Sequence, residues 1–155
     1  MNSFSGVVPA TITPFDSDGR FNEKSFRAIM ESNIRAGVDG FWVSGGTGES
    51  VLLTENEIIK TAEISAEMCK GRAAAMVHIG SLTTDSSARM AKAAADAGAA
   101  AICCVPPFFY KPSEQAIIDH YRIVADAAGD LPFFVYNQPK YTGVEFDAPM
   151  LGRIK

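Results

Sequence analysis

Three glycines within four residues, Gly45, Gly46 and Gly48, together with Thr47, follow directly on the short apolar run Phe41-Trp42-Val43. Glycine adopts φ > 0 readily and leaves no side chain in the way, so the backbone N–H groups of Gly46 and Thr47 can approach a ligand closely. With the Thr47 hydroxyl they form a set of donors suited to a small anion. A tight connection between a strand and a helix has the same composition, and on these residues alone both readings stand. Glu49 follows the loop and is placed to brace it by accepting N–H bonds. The other group with chemistry to offer is Tyr136, which closes the apolar run 132–136. A phenol there can move a proton or hold a substrate oxygen, or it can be a core tyrosine whose hydroxyl is satisfied at the rim.

Other chemistries lack their residues. No Gly-Lys-Ser/Thr follows the glycine loop, which excludes a Walker A phosphate site, and Val51 stands where a dinucleotide fingerprint needs its third glycine. No Gly-x-Ser-x-Gly elbow supports Ser-His-Asp hydrolysis. His78 falls near the end of an apolar run and His120 in mid-helix at a surface-compatible position, with no Asp, Glu or Cys at ligand spacing, so no metal site is expected. The net charge of −4, without a basic cluster, argues against nucleic acid and anionic membranes as partners. Neither a basic segment followed by an apolar one at the N-terminus nor a membrane-length apolar stretch is present, and a soluble cytoplasmic protein is expected. Three cysteines, two of them the adjacent Cys103 and Cys104, fit buried reduced thiols better than a disulfide framework.

The elements that must position these groups follow from periodicity and punctuation. Apolar runs at 7–13, 40–43, 74–79, 99–105 and 132–136 read as strands. Between them lie helical stretches: one capped by Asn22 and closed at Ala36-Gly37, one from Glu55 to about Lys70 opened by a Thr54/Glu57 capping box, and one from about Asp85 to Ala97. A further helix runs from the Ser113 cap to about Ala128, and a last capped segment begins at Asp147. Strands that recur about every 25 to 35 residues, each nearly all apolar and each followed by a helix, mark βα units of a parallel sheet covered on both faces. An open doubly wound sheet and the front part of a (β/α)₈ barrel share this pattern. A full barrel needs about 250 residues, and 155 residues hold roughly five strands.

Four motifs in order carry a resemblance. They are Thr11-Ile12-Thr13-Pro14-Phe15; Gly45-Gly46-Thr47-Gly48-Glu49; Pro106-Pro107-Phe108-Phe109-Tyr110-Lys111-Pro112; and Tyr136-Asn137-Gln138-Pro139 with Thr142-Gly143. In that order and spacing the chain resembles the dihydrodipicolinate synthase and N-acetylneuraminate lyase family of pyruvate-dependent class I aldolases. The resemblance covers essentially all of 1–155 and implies the N-terminal part of a single (β/α)₈ TIM-barrel domain, about its first five βα units. It also implies a homotetramer, a Schiff base between a lysine and pyruvate or another 2-oxo acid, and no cofactor. By the same resemblance Thr47 and the N–H groups around Gly46 and Thr47 hold the keto-acid carboxylate, Tyr136 shuttles protons at the Schiff base, and Tyr110 and Tyr141 contact substrate.

This sequence departs from the family pattern at four places. Gly46 stands where a Thr or Ser is common, Phe109 where the synthases carry a second tyrosine, and Tyr141 where they carry an arginine for the second carboxylate. These differences point away from 4-hydroxy-tetrahydrodipicolinate synthase and toward a sialic acid or sugar-acid aldolase or dehydratase. Fourth, the Schiff-base lysine of the family is expected on the sixth strand, past residue 155, and Lys111, Lys140 and Lys155 do not match it. The 155 residues alone are therefore expected to be inactive, and, with two open sheet edges, to belong to a longer polypeptide or to self-associate. A non-catalytic half-barrel that serves as a binding or assembly module is the alternative from another class.

Overall fold

The computed structural model describes residues 4–154. Among these, four strands form one parallel sheet in the order β1 (Gly40–Val43), β2 (Ala74–His78), β3 (Ala101–Cys104) and β4 (Phe133–Val135). Strand order equals chain order. A doubly wound sheet reverses its order partway, whereas a barrel adds each strand beside the last. The helices α1 (Glu23–Arg35), α2 (Glu55–Cys69), α3 (Thr84–Asp96) and α4 (Glu114–Ala128) pack each against the next, and α6 (Ala148–Ile154) continues the layer against α4. The chain thus has the architecture of the front part of a (β/α)₈ barrel.

Local sequence accounts for the helix starts. Asn22 Oδ1 accepts from Ser25 N–H at 3.0 Å. The capping box closes in both directions, with Glu57 N–H donating to Thr54 Oγ1 at 3.3 Å and Thr54 N–H donating to Glu57 Oε2 at 2.7 Å. Ser113 caps α4 by accepting from Ala116 N–H at 3.2 Å. The register places Phe41, Val43, Ala75, Val77, Ile102 and Cys104 on the face turned to the helices, where they join Phe26, Met30, Ile64, Met90 and Tyr121 in the main core. The alternate residues point to the other face. There Trp42, Phe134 and Tyr136 stand in edge contact, Trp42 lying 6.2 Å from Phe134 and 5.4 Å from Tyr136 between ring centres. All three cysteines are free and buried.

Two expectations need correction. The segment expected as a strand over 7–13 forms a single parallel bridge, Ala10 to Trp42, held by Trp42 N–H to Pro9 O (2.9 Å) and Thr11 N–H to Trp42 O (3.0 Å). Pro9 has no N–H to extend the ladder, so the segment lies along β1 without becoming a regular strand. His120 is not at the surface: it is buried, its Nδ1 3.0 Å from Thr84 Oγ1 and its Nε2 3.6 Å from Cys104 Sγ. Beyond these two, the motif at 139–142, for which the sequence reading names no element, forms the short helix α5 (Pro139–Thr142), started by proline and closed by Gly143.

Candidate functional site

A cavity of about 580 Å³ opens at the carboxyl ends of β2, β3 and β4, which is where barrel enzymes place their chemistry. Gly46, His78, Tyr136, Gln138 and Tyr141 all contribute to its wall. The glycine loop reaches it in an unusual backbone form. Ser44, at φ 53°, and Glu49, at φ 58°, are both left-handed although neither is glycine. Such conformations persist only where the surroundings over-determine them. Here the Ser44 hydroxyl lies 2.7 Å from Thr61 Oγ1 in the core, and Thr61 in turn donates to Ile58 O at 2.8 Å. Thr13 Oγ1 donates to Gly48 O at 2.8 Å and fixes the far side of the loop. A Cβ at Gly45 would come within 2.6 Å of the Trp42 ring and one at Gly48 within 3.0 Å of the Ser44 Cα, so these two glycines are demanded by space. Gly46 is different: a Cβ there would meet nothing within 4 Å.

Within the loop, Glu49 N–H donates to Gly46 O and Ser50 N–H to Gly45 O, while the N–H groups of Gly46 and Thr47 donate to no backbone acceptor among the described residues. They remain available to an anion. The Glu49 side chain does not brace the loop as expected. It makes no hydrogen bond or ion pair among the described residues and stands in the cavity wall.

Tyr136 is fixed by Tyr136 N–H donating to Cys104 O at 2.8 Å, which continues the β3/β4 pairing one residue further. Its ring is flanked by Trp42 and, at 5.9 Å, by His78. Its hydroxyl has no hydrogen-bond partner among the described residues. Tyr141, exposed at the mouth, is carried by α5, and Lys140 Nζ lies 5.6 Å from its ring centre. Of the residues singled out from the sequence, Gly46, Tyr136 and Tyr141 thus share one cavity. Thr47 is exposed beside Gly46 and is not part of the wall, and Tyr110, edge to face with Phe109 at 4.9 Å between ring centres, is exposed outside it. Lys155 lies outside the described residues. Sequence reasoning gave no role to Gln138 or His78, both in the wall. The alternation from Trp42 through the β1/β2 register puts His78 on the same face as Tyr136, a signal open to view once strand pairing is known. Burial pushes the His78 imidazole down to about 4, an effect partly opposed by the Ser44 backbone. No group of three or more potential metal ligands occurs among the described residues, and no helix among them is long and apolar enough to cross a membrane.

A parallel sheet in barrel order, with free backbone donors and a phenol at its carboxyl rim, defines the class, a (β/α)-barrel protein with a candidate ligand site at that rim. Sequence comparison makes this particular: residues 3–154 match the dihydrodipicolinate synthetase family, and the chain belongs to that family. The N-acetylneuraminate lyase of Citrobacter koseri is 39% identical over 140 residues, 90% of this chain and 47% of the relative. Among solved structures, CdNal from Clostridium difficile, determined in complex with mannosamine, superposes with a TM-score of 0.92 at 30% identity, over 99% of this chain and 53% of that one. Dihydrodipicolinate synthase from Aquifex aeolicus superposes with a TM-score of 0.91 at 29% identity, over 97% and 51%. The chain spans about half the length of the curated relatives it matches.

Proposed function

We propose that this chain supplies the keto-acid-binding and proton-shuttling part of a pyruvate-dependent lyase that cleaves or forms a sialic acid or sugar-acid type 2-oxo acid. The imine-forming lysine belongs to residues beyond these 155. The N–H groups of Gly46 and Thr47, with the Thr47 hydroxyl, hold the carboxylate. Tyr136 takes and returns the proton as the amine adds to the ketone, water leaves, and the carbon–carbon bond breaks or forms. The observation that carries this reading is that Gly46 and Tyr136 wall one cavity at the carboxyl ends of the strands. Tyr141, in the cavity wall, and Tyr110, on the exposed aromatic loop, are assigned to substrate contact.

Tyr141, in the cavity wall, stands where the synthases carry an arginine for the second carboxylate, and this supports the lyase over 4-hydroxy-tetrahydrodipicolinate synthase. A homotetramer is proposed as the working assembly; the exposed Val51, Leu52, Leu82, Phe109 and Tyr110 on the same rim support association. The test is borohydride reduction in the presence of pyruvate, applied to the full-length polypeptide that carries this chain. A mass increase of one reduced pyruvyl group supports the enzyme. Absence of an adduct in a protein with all eight strands supports the non-catalytic binding module instead.

A further inference from the structure

His78 is 1% exposed, lines the cavity and has no task in the reading above. Its Nε2 accepts from Val105 N–H at 3.4 Å, at the end of β3. With Nε2 as acceptor, the proton of the neutral ring resides on Nδ1. Among the described residues Nδ1 makes no hydrogen bond of ordinary geometry, and the Ser44 backbone offsets only part of the cost of burial. A buried N–H so poorly paired is costly, and a leucine or methionine would fill a comparable space without one. The retained imidazole therefore calls for an explanation in terms of what the ring touches.

It touches the proton shuttle. The His78 and Tyr136 rings meet edge to face at 5.9 Å and 80°, and Trp42 meets Tyr136 at 5.4 Å and 78°. Gly80 leaves the imidazole its place, since a Cβ there would stand 2.8 Å from both His78 Nε2 and Val105 Cγ2. Imidazole is the side chain that offers Tyr136 a flat ring and Val105 an acceptor together. We propose that His78 is a positioning residue that ties the end of β3 to the Tyr136 ring and holds the phenol, with Trp42, in the orientation that proton transfer needs. This inference rests on the lyase reading.

The test compares His78→Leu and His78→Gln in the full-length polypeptide. Leucine removes both ring and acceptor; glutamine restores an acceptor for Val105 N–H. For His78→Leu the expected result is a folded protein whose kcat falls by about 10²-fold, as for a misplaced catalytic group, while KM for pyruvate changes by less than about threefold. His78→Gln is expected to recover part of the loss. Equal kcat per folded molecule in His78→Leu and the unsubstituted protein overturns the proposal. Should His78→Leu not fold, His78→Gln decides: kcat reduced with KM retained supports the role, and kcat at the unsubstituted level overturns it. Borohydride trapping separates the two layers. An unsubstituted protein that forms no adduct brings down the lyase reading and this inference with it, whereas adduct formation with kcat indifferent to residue 78 brings down this inference alone.

Discussion

Tyr136 and Gly46 contribute to the site in ways that single substitutions separate. Tyr136 keeps its ring contacts when its hydroxyl is removed, because Trp42 and His78 pack against the ring. Tyr136→Phe in the full-length protein is therefore expected to fold normally and to lose about 10²- to 10⁴-fold in kcat, the usual worth of a positioned acid–base group, measured by steady-state kinetics with KM for pyruvate nearly unchanged. A normal kcat would remove the phenol from the mechanism. Gly46 has open space around its Cβ position and is not left-handed. Gly46→Ser is expected to shift stability by no more than about 0.5 kcal/mol in urea unfolding, and to raise turnover by restoring a hydroxyl beside Thr47. That Gly46 and Tyr136 wall one cavity accords with the ordered set of motifs to which they belong in the sequence. His120 was misjudged because it is polar, although it lies three residues after Ile117 and four before Val124, on the buried stripe of α4. A neutral imidazole with Thr84 as partner satisfies burial that a charged one would not.

At the scale of elements, helix caps and glycine stops are local chemistry, so α1, α2 and α4 follow their sequence signals closely. Strand pairing is not local. The first apolar run fails as a strand because of Pro9, and the wall residues Val105, Phe108 and Gln138 sit in connections whose path no periodicity encodes. The glycine loop depends on a contact equally invisible in sequence, the bond of Ser44 to Thr61 on α2, seventeen residues away. Both residues are fully buried. Thr61→Val leaves the Ser44 hydroxyl without its partner and is expected to cost about 1–3 kcal/mol, read as a lower urea midpoint. It is also expected to weaken binding of the 2-oxo acid, since the loop loses the anchor of its left-handed turn. Unchanged stability and affinity would show that the loop holds its shape without α2.

At the scale of the molecule, two buried histidines couple folding to pH. His78 and His120 are both pushed down to about 4 by burial, from an ordinary value of 6.5. Between those values the unfolded chain binds protons that the folded chain refuses, so stability falls as pH drops through this window. The slope is up to about 1.4 kcal/mol per pH unit for each histidine. Glu31 and Glu55, held down to about 2 mainly by hydrogen bonds from Arg72 and Arg89, stay ionised in the folded chain and add to the decline only at the lower edge of the window, where the carboxylates of the unfolded chain take up protons around 4.5. Urea midpoints measured from about pH 7 to pH 4.5 should show this decline, and His120→Asn should make it shallower. A flat profile would mean that the imidazoles are not sealed from solvent.

A glycine loop that grips a keto-acid carboxylate with its own backbone, as proposed, must show it at the amides that do the gripping. Titrating pyruvate into the ¹⁵N-labelled full-length protein and following the amide resonances of Gly46 and Thr47 tests it most directly. These two amides are expected to shift saturably and among the most strongly in the chain. Saturable pyruvate binding that leaves both amides unmoved would contradict it.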